Sequence, residues 1–148
     1  WSQSDKLING ITCYSGDEGL VTMVRQTDIL ICLLPLTSAT YQLINDDLLT
    51  NLPQGASIIN FARGGIVANH DLINHLANGN LEHAILDVFE QEPLDKSDDL
   101  WSNEKITVLP HISAPTHFES AGEIVTKNIK QYRSNDQIPF YIDWNKGY

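Results

Sequence analysis

The sequence predicts an α/β fold built on a doubly wound parallel sheet. Short runs rich in β-branched residues alternate with amphipathic segments, a pattern typical of βαβ units. The run around Ile58 and Ile59 is apolar on successive residues, as expected of a parallel strand that helices cover on both faces. Three successive runs lead to reactive residues, namely Arg63, Glu92 and His111. Because ligands bind beyond the carboxyl ends of such strands, we expect these three side chains at one functional edge.

Composition and charge narrow the class of protein. The 148 residues suit a single domain, and 42% hydrophobic with 19% charged residues are typical of a globular chain. The formal net charge of −10 argues against nucleic acid or an anionic membrane as a partner. Two cysteines without a CxxC motif or a metal-ligand cluster fit a reducing, cytoplasmic compartment. No signal peptide and no apolar run near the length of a membrane span is found.

The first half of the chain predicts three strands and two short helices. Pro35 terminates the clearest strand, because proline cannot continue a ladder. Asn45 resembles a helix N-cap, and the two aspartates after it suit the positive end of a helix. The predicted elements are a loop over 2–10, a strand over 11–14, a helix over 16–26, a strand over 29–34, a helix from 45 to 52 and a strand over 57–61.

The second half predicts two helices, two strands and an aromatic tail. Asn69 is expected to cap the first of these helices, and Asn78-Gly79-Asn80 to end it with a left-handed residue. Pro115 is expected to start a long final helix with one apolar stripe. The remaining elements are strands over 83–88 and 106–109, an acidic loop between them, and a tail over 137–148 whose aromatic side chains need a surface to pack on.

The three reactive residues suit proton transfer beside a bound anion. Histidine is the usual proton donor or acceptor near neutral pH, and a carboxylate on its other ring nitrogen fixes the tautomer and stabilises the charged form. An arginine can hold a carboxylate bidentately. These three side chains fit protonation of a carbonyl oxygen next to a carboxylate. The sequence contains no GxSxG motif, which would place a serine nucleophile at a strand-to-helix turn. The alternatives are a surface ion pair for Arg63 and a buried structural role for His111.

Four motifs then occur in a characteristic order between residues 33 and 111. They are Leu33-Leu34-Pro35-Leu36-Thr37, Asn60-Phe61-Ala62-Arg63-Gly64-Gly65, Asp87-Val88-Phe89 with Glu92-Pro93-Leu94, and Pro110-His111. Together they resemble the D-2-hydroxyacid dehydrogenase family, and within it the glyoxylate/hydroxypyruvate reductase A branch. The resemblance implies a Rossmann-like NAD(P)-binding domain and an oxidoreductase that reduces a 2-keto acid to the D-2-hydroxy acid. It also suggests a homodimer.

The resemblance implies roles for particular residues. Arg63 would bind the substrate carboxylate, His111 would be the acid/base and Glu92 its partner. Asp87 would lie near the nicotinamide carboxamide, although it could instead cap the loop after its strand. The other candidate cofactor contacts are Leu34, Pro35, Thr40 (the weaker candidate), Ala62, Arg63, His111, Ser113 and Ala114.

Two departures from the family pattern refine this hypothesis. No GxGxxG phosphate loop occurs, so the chain resembles the carboxyl-terminal part of a longer enzyme and is expected to have little or no activity alone. We assign residues 1–134 to the dinucleotide-binding domain and 135–148 to a tail on a substrate domain. The stretch expected to contact the ribose has no acidic residue at position 2 or 3, where Ser2 and Gln3 stand, and it also contains Ser4 and Lys6. These residues favour NADP(H) over NAD(H), because an acidic residue there would repel a 2′-phosphate. Asp5 is acidic and keeps NAD(H) open as an alternative.

A non-catalytic nucleotide-sensing or partner-binding protein on the same fold is the alternative from another class. The presence of all three reactive residues argues against it, because a sensor needs only cofactor contacts. A phosphoglycerate or formate dehydrogenase is a further alternative within the class. The sequence leaves the preferred keto acid open.

Overall fold

The computed structural model describes residues 1–139 and Asp143, in two compact units over Trp1–His111 and Ile112–Tyr148. The first unit contains a four-stranded sheet and three α-helices. Its elements are α1 (Gly16–Val24), β1 (Ile29–Cys32), α2 (Asp46–Leu49), β2 (Ala56–Asn60), α3 (Asn69–Ala77), β3 (Leu81–Leu86) and β4 (Ile106–Val108), with short 3-10 turns at Gly64–Ile66 and Asp99–Trp101. The second unit contains α4 (Phe118–Asn135).

The sheet is parallel, with strand order β1-β2-β3-β4. Ile31 lies beside Ile59 and Ile59 beside Ile85, so neighbouring strands are closely in register. The carboxyl ends of all four strands therefore lie at the same edge of the sheet. The predicted parallel α/β architecture is confirmed.

The core lies on one face of this sheet. Leu30, Ile58 and Leu86 point into it and are almost fully buried, as are Leu72 and Leu76 of α3. On the other face the residues of β1 are exposed, since its burial alternates along the strand. The strand predicted to be covered on both faces, β2, is buried on the core face and only partly buried on the other, so that prediction is wrong in part. Cys32 is buried, as predicted, and this burial raises the pKa of its thiol.

Two local predictions in the first unit are wrong, one about a strand and one about a helix cap. Residues 11–14 form no strand, because Gly10 at φ +77° turns the chain so that Ile11 bridges back to Ile8 in an antiparallel pair. Asn69 is the first residue of α3 and not its N-cap, which is Ala68 without a side-chain bond. By contrast, Asn45 does cap α2, and its side chain accepts a hydrogen bond from the Leu48 N–H at 3.2 Å.

The second unit consists mainly of the helix α4. The helix begins three residues after Pro115, with His117 as its N-cap. The predicted stripe residues Phe118, Ile124 and Val125 are exposed. Residues 140–142 and 144–148, which include the aromatic side chains of the predicted tail, lie outside the described residues. No described helix is long and apolar enough to cross a membrane.

Candidate active site

The candidate site lies at the edge where the parallel strands end. β2 ends at Asn60, and Arg63 follows three residues later. β4 ends at Val108, and His111 follows after the same spacing. Because the strands are parallel and in register, these side chains leave the sheet at one edge.

His111 and Glu92 form a hydrogen-bonded pair. The His111 Nδ1 lies 2.7 Å from Glu92 Oε2, while the other carboxylate oxygen accepts from the Phe89 N–H at 3.0 Å. The Phe89 N–H and then the His111 hydrogen bond lower the pKa of Glu92, so this carboxylate is ionised over a wider acid range than usual. The side chain of His111 is half exposed, and the alternative of a buried structural histidine is therefore wrong.

Arg63 lies close enough to this pair for its charge to act on it. The Arg63 guanidinium is among the charges that lower the pKa of Glu92. One of its nitrogens, Nη1, donates to the carbonyl oxygen of Ala62 at 2.6 Å. The site thus holds a cation, a carboxylate and an exposed imidazole, a combination that can bind an anionic substrate and exchange a proton with it.

Gly64 explains how the Arg63 turn meets the turn that carries Glu92. A Cβ atom at position 64 would lie 1.9 Å from the carbonyl carbon of Phe89 and 2.2 Å from the nitrogen of Glu90. Glycine is therefore required for a backbone-to-backbone contact between the two turns. The neighbouring Gly65 would accept a Cβ at ordinary contact distance from Leu36 and Tyr41.

The predicted cofactor contacts after β1 are placed in a tight loop. Leu34 is half-buried and Pro35 is exposed. Thr40 is 3% exposed, and its hydroxyl donates to the Pro35 carbonyl at 2.7 Å and accepts from the Thr37 N–H at 2.8 Å. These bonds favour a loop-shaping role for Thr40, and its cofactor role stays a prediction.

The predicted contacts after β2 and β3 are buried. Ala62 is 6% exposed and Asp87 is 2% exposed. The backbone N–H of Asp87 donates to the carbonyl of Asn60 at 3.1 Å, which ties the two strand ends together. Ser113 and Ala114 belong to the second unit and are exposed there.

The predicted ribose-reading stretch lies at the amino end of the described chain. Ser2 pairs with Ser15 in a parallel bridge, and the Ser2 hydroxyl donates to the Ser4 carbonyl at 2.8 Å. The Asp5 carboxylate accepts from the Ser15 hydroxyl. Gln3, Ser4 and Lys6 are exposed. Asp5 is exposed as well, but its carboxylate is engaged by Ser15.

The sequence analysis assigned no role to Asn60 or to Tyr41, and both belong to this edge. Asn60 is 1% exposed and hydrogen-bonds the Arg63 turn. The Tyr41 hydroxyl donates to Glu90 at 3.0 Å, which raises the pKa of the phenol. A polar residue at the end of an apolar strand was the available signal for Asn60, whereas the Tyr41–Glu90 contact joins residues 49 apart that no local pattern connects.

His117 has a structural role in its own unit. Its side chain accepts from the Ser120 N–H as the N-cap of α4. Among the described residues, no group of three or more His, Cys, Asp or Glu side chains is arranged to hold a metal ion.

These features define an anion-binding and proton-transfer class of site at the edge of a parallel sheet, and comparison with known proteins identifies the family. Residues 10–113 match the model of the D-isomer specific 2-hydroxyacid dehydrogenase NAD-binding domain, and the chain belongs to that family. The glyoxylate/hydroxypyruvate reductase A of Salmonella paratyphi B is 39% identical over 148 residues, which are 100% of this chain and 47% of that protein. The chain thus spans about half the length of the curated relatives it matches.

Two solved structures are similar over the whole chain. A D-isomer specific 2-hydroxyacid dehydrogenase from Xanthobacter autotrophicus, in complex with NADPH and MES, has a TM-score of 0.95 at 34% identity, covering 100% of this chain and 61% of its own. An NADPH-dependent glyoxylate/hydroxypyruvate reductase from Sinorhizobium meliloti, in complex with NADP and sulfate, has a TM-score of 0.93 at 32% identity, covering 100% and 48%. The resemblance inferred from the four motifs is confirmed.

Proposed function

We propose that the full-length protein reduces a short 2-keto acid of the glyoxylate or hydroxypyruvate type to the D-2-hydroxy acid with NADP(H). The observation that carries this proposal is the 2.7 Å pair of His111 and Glu92 on the edge that also holds Arg63. The names of the relatives support the substrate class, because they are glyoxylate/hydroxypyruvate reductases.

The chain's own residues divide the work in this proposal. Arg63 turns from the Ala62 carbonyl to the substrate carboxylate and orients the keto group, which is positioning catalysis. The Nδ1 of His111 is engaged by Glu92, so Nε2 is the atom that donates a proton to the carbonyl oxygen. The ionised Glu92 accepts from the Nδ1–H and so fixes the orientation of the imidazole ring.

The cofactor is assigned to NADP(H) from the residues of the amino-terminal stretch. Nicotinamide supplies the hydride when bound. Ser2, Ser4 and Lys6 are the candidates for a 2′-phosphate, and the lack of an acidic residue at Ser2 and Gln3 removes a repulsion that the phosphate would meet. Both similar solved complexes cited above hold NADPH or NADP, which supports NADP(H) as the preferred cofactor.

Steady-state reduction of glyoxylate and hydroxypyruvate by the full-length protein tests the proposal, with NADPH and NADH compared side by side. We expect turnover with an NADPH preference, and a loss of about 10² to 10⁴-fold in kcat for His111→Ala, which is the usual size of a general acid effect. An NADH preference would overturn the cofactor assignment alone. Nucleotide binding without turnover of any short 2-keto acid would favour the sensor alternative.

Assembly and organisation remain part of the proposal. The family resemblance supports a homodimer, and the two cysteines fit a reducing, cytoplasmic compartment. Light scattering of the purified full-length protein distinguishes a dimer from a monomer. The division into a dinucleotide-binding part over 1–134 and a tail over 135–148 stays a prediction.

A further inference from the structure

The side chain of Asn60 closes the turn that presents Arg63. Asn60 ends β2 and is 1% exposed. Its Oδ1 accepts from the Ala62 N–H at 3.1 Å, and its Nδ2 donates to the Arg63 carbonyl at 3.0 Å. One amide therefore satisfies a donor and an acceptor on two different residues of the turn.

The same residue connects this turn to the strand that leads to Glu92. The Asn60 carbonyl accepts from the Asp87 N–H at 3.1 Å, at the end of β3. Gly64 then brings the turn into backbone contact with Phe89, whose N–H holds Glu92. The Arg63 turn is thus bounded by fixed contacts on both sides, and Asn60 supplies those on its amino-terminal side.

Only an amide side chain can make both hydrogen bonds at position 60. A buried polar group costs free energy unless it is hydrogen-bonded, so an apolar side chain would be the simpler choice at the end of a buried strand. Aspartate has the same shape but cannot donate to the Arg63 carbonyl. Serine can still accept from the N–H two residues on, but is too short to serve both groups.

We propose that Asn60 is a positioning residue that sets the orientation of Arg63 for binding the substrate carboxylate. The inference rests on the proposed function, because it assigns to Arg63 the carboxylate of the keto acid. Asn60 acts through Arg63 and leaves the proton transfer between His111 and substrate untouched. Loss of the Asn60 side chain therefore weakens substrate binding more than it slows the chemical step.

The test is the kinetics of Asn60→Asp and Asn60→Ser in the full-length protein with NADPH and glyoxylate. We expect KM for glyoxylate to rise by about 10-fold, the size expected for one buried polar group left unpaired, with kcat within about 3-fold of wild type. Binding of oxalate to the NADP-loaded protein, measured by calorimetry, is expected to weaken by the same factor. The serine variant carries no added charge, and it replaces the aspartate variant in the test if the aspartate variant fails to fold.

Asn51→Asp is the matched control. Like Asn60, Asn51 makes two side-chain hydrogen bonds, because it accepts one from Arg25 and donates another to the Asp47 carbonyl. It differs in position, since it follows the carboxyl end of α2 and lies away from the site edge. We expect this variant to leave KM and kcat for glyoxylate unchanged.

A double-mutant cycle with Arg63→Ala separates positioning from a general loss of structure. If Asn60 acts through Arg63, adding Asn60→Asp to Arg63→Ala changes KM and oxalate affinity by less than about 2-fold. A full additional loss in that background, or equal loss of kcat and substrate affinity in Asn60→Asp alone, would overturn the inference. Absence of turnover in the wild-type protein would overturn the proposed function instead.

Discussion

Glu92 shows how one carboxylate couples the site to protein stability. Its pKa is lowered in the folded chain, first by the Phe89 N–H and then by His111, from a usual value of 4.5. A carboxylate with a lowered pKa stabilises the fold above its unfolded pKa, and this contribution is lost as the pH falls through the folded pKa. The residue that holds the His111 imidazole is therefore also expected to make stability depend on acid pH.

We predict that Glu92→Gln makes stability less dependent on pH in the acid range. The free energy of unfolding of wild type should fall relative to that of Glu92→Gln as the pH drops below the usual glutamate pKa of 4.5, because the unfolded chain binds the proton that the folded site resists. Urea denaturation at several pH values measures this difference. Glu82→Gln, at an exposed position of β3, is the control, and an equal pH effect there would contradict the assignment to Glu92.

Gly64 is the second residue-scale determinant of the site. We predict that Gly64→Ala destabilises the protein by about 3 kcal/mol or more, because its Cβ would collide with the backbone of Phe89 and Glu90 and both turns would have to move. Gly65→Ala is the adjacent control and should cost about 1 kcal/mol or less, since its Cβ meets side chains at 3.4 to 3.5 Å. Denaturant midpoints compare the two, and similar losses would refute the close approach.

At the scale of elements, the two predicted asparagine caps have different outcomes for a physical reason. Asn45 has an extended backbone that turns its side chain toward the Leu48 N–H. Asn69 is already helical, with Ala68 before it in the capping position. Residue type alone favours both, and only the backbone conformation decides which residue caps its helix.

The helix caps lead to a paired prediction. Asn45→Ala should destabilise the first unit by about 1 kcal/mol, because the Leu48 N–H loses its acceptor. Asn69→Ala should change stability by about 0.5 kcal/mol or less, because no cap is lost. Thermal or urea unfolding of the two variants gives the comparison, and equal losses would show that Asn69 also caps α3.

At the scale of the whole molecule, the first unit contains the sheet and all three residues of the proposed proton-transfer and anion-binding site. Ser113 and Ala114 lie in the second unit. The sequence has no GxGxxG loop, which is the usual cradle for the pyrophosphate of a dinucleotide.

We therefore predict that the 148-residue chain alone turns over glyoxylate at less than about 1% of the rate of the full-length protein, because pyrophosphate binding at a glycine-rich helix N-terminus is missing. Parallel assays with NADPH, at equal concentrations of the two proteins, measure the ratio. Comparable rates would show that the chain binds its cofactor by other means.

Much of this protein was predictable from local pattern. Apolar runs and the turn residues between them predicted the parallel sheet, and reactive residues after successive strands predicted that Glu92 and His111 come together. Four motifs in order predicted the family. These features can be predicted because strand burial and the placement of strand ends depend on the residue types of a short stretch of sequence.

The tertiary structure alone decided how the strand ends meet. The contact of Gly64 with Phe89 and Glu90, the two hydrogen bonds of Asn60 across the Arg63 turn and the Tyr41–Glu90 bond join segments that are distant in sequence or depend on one backbone conformation. Such contacts depend on the distances between packed turns, and residue type does not determine those distances. The sequence thus determined which residues reach the edge, and tertiary packing determined which of them hold the others in place.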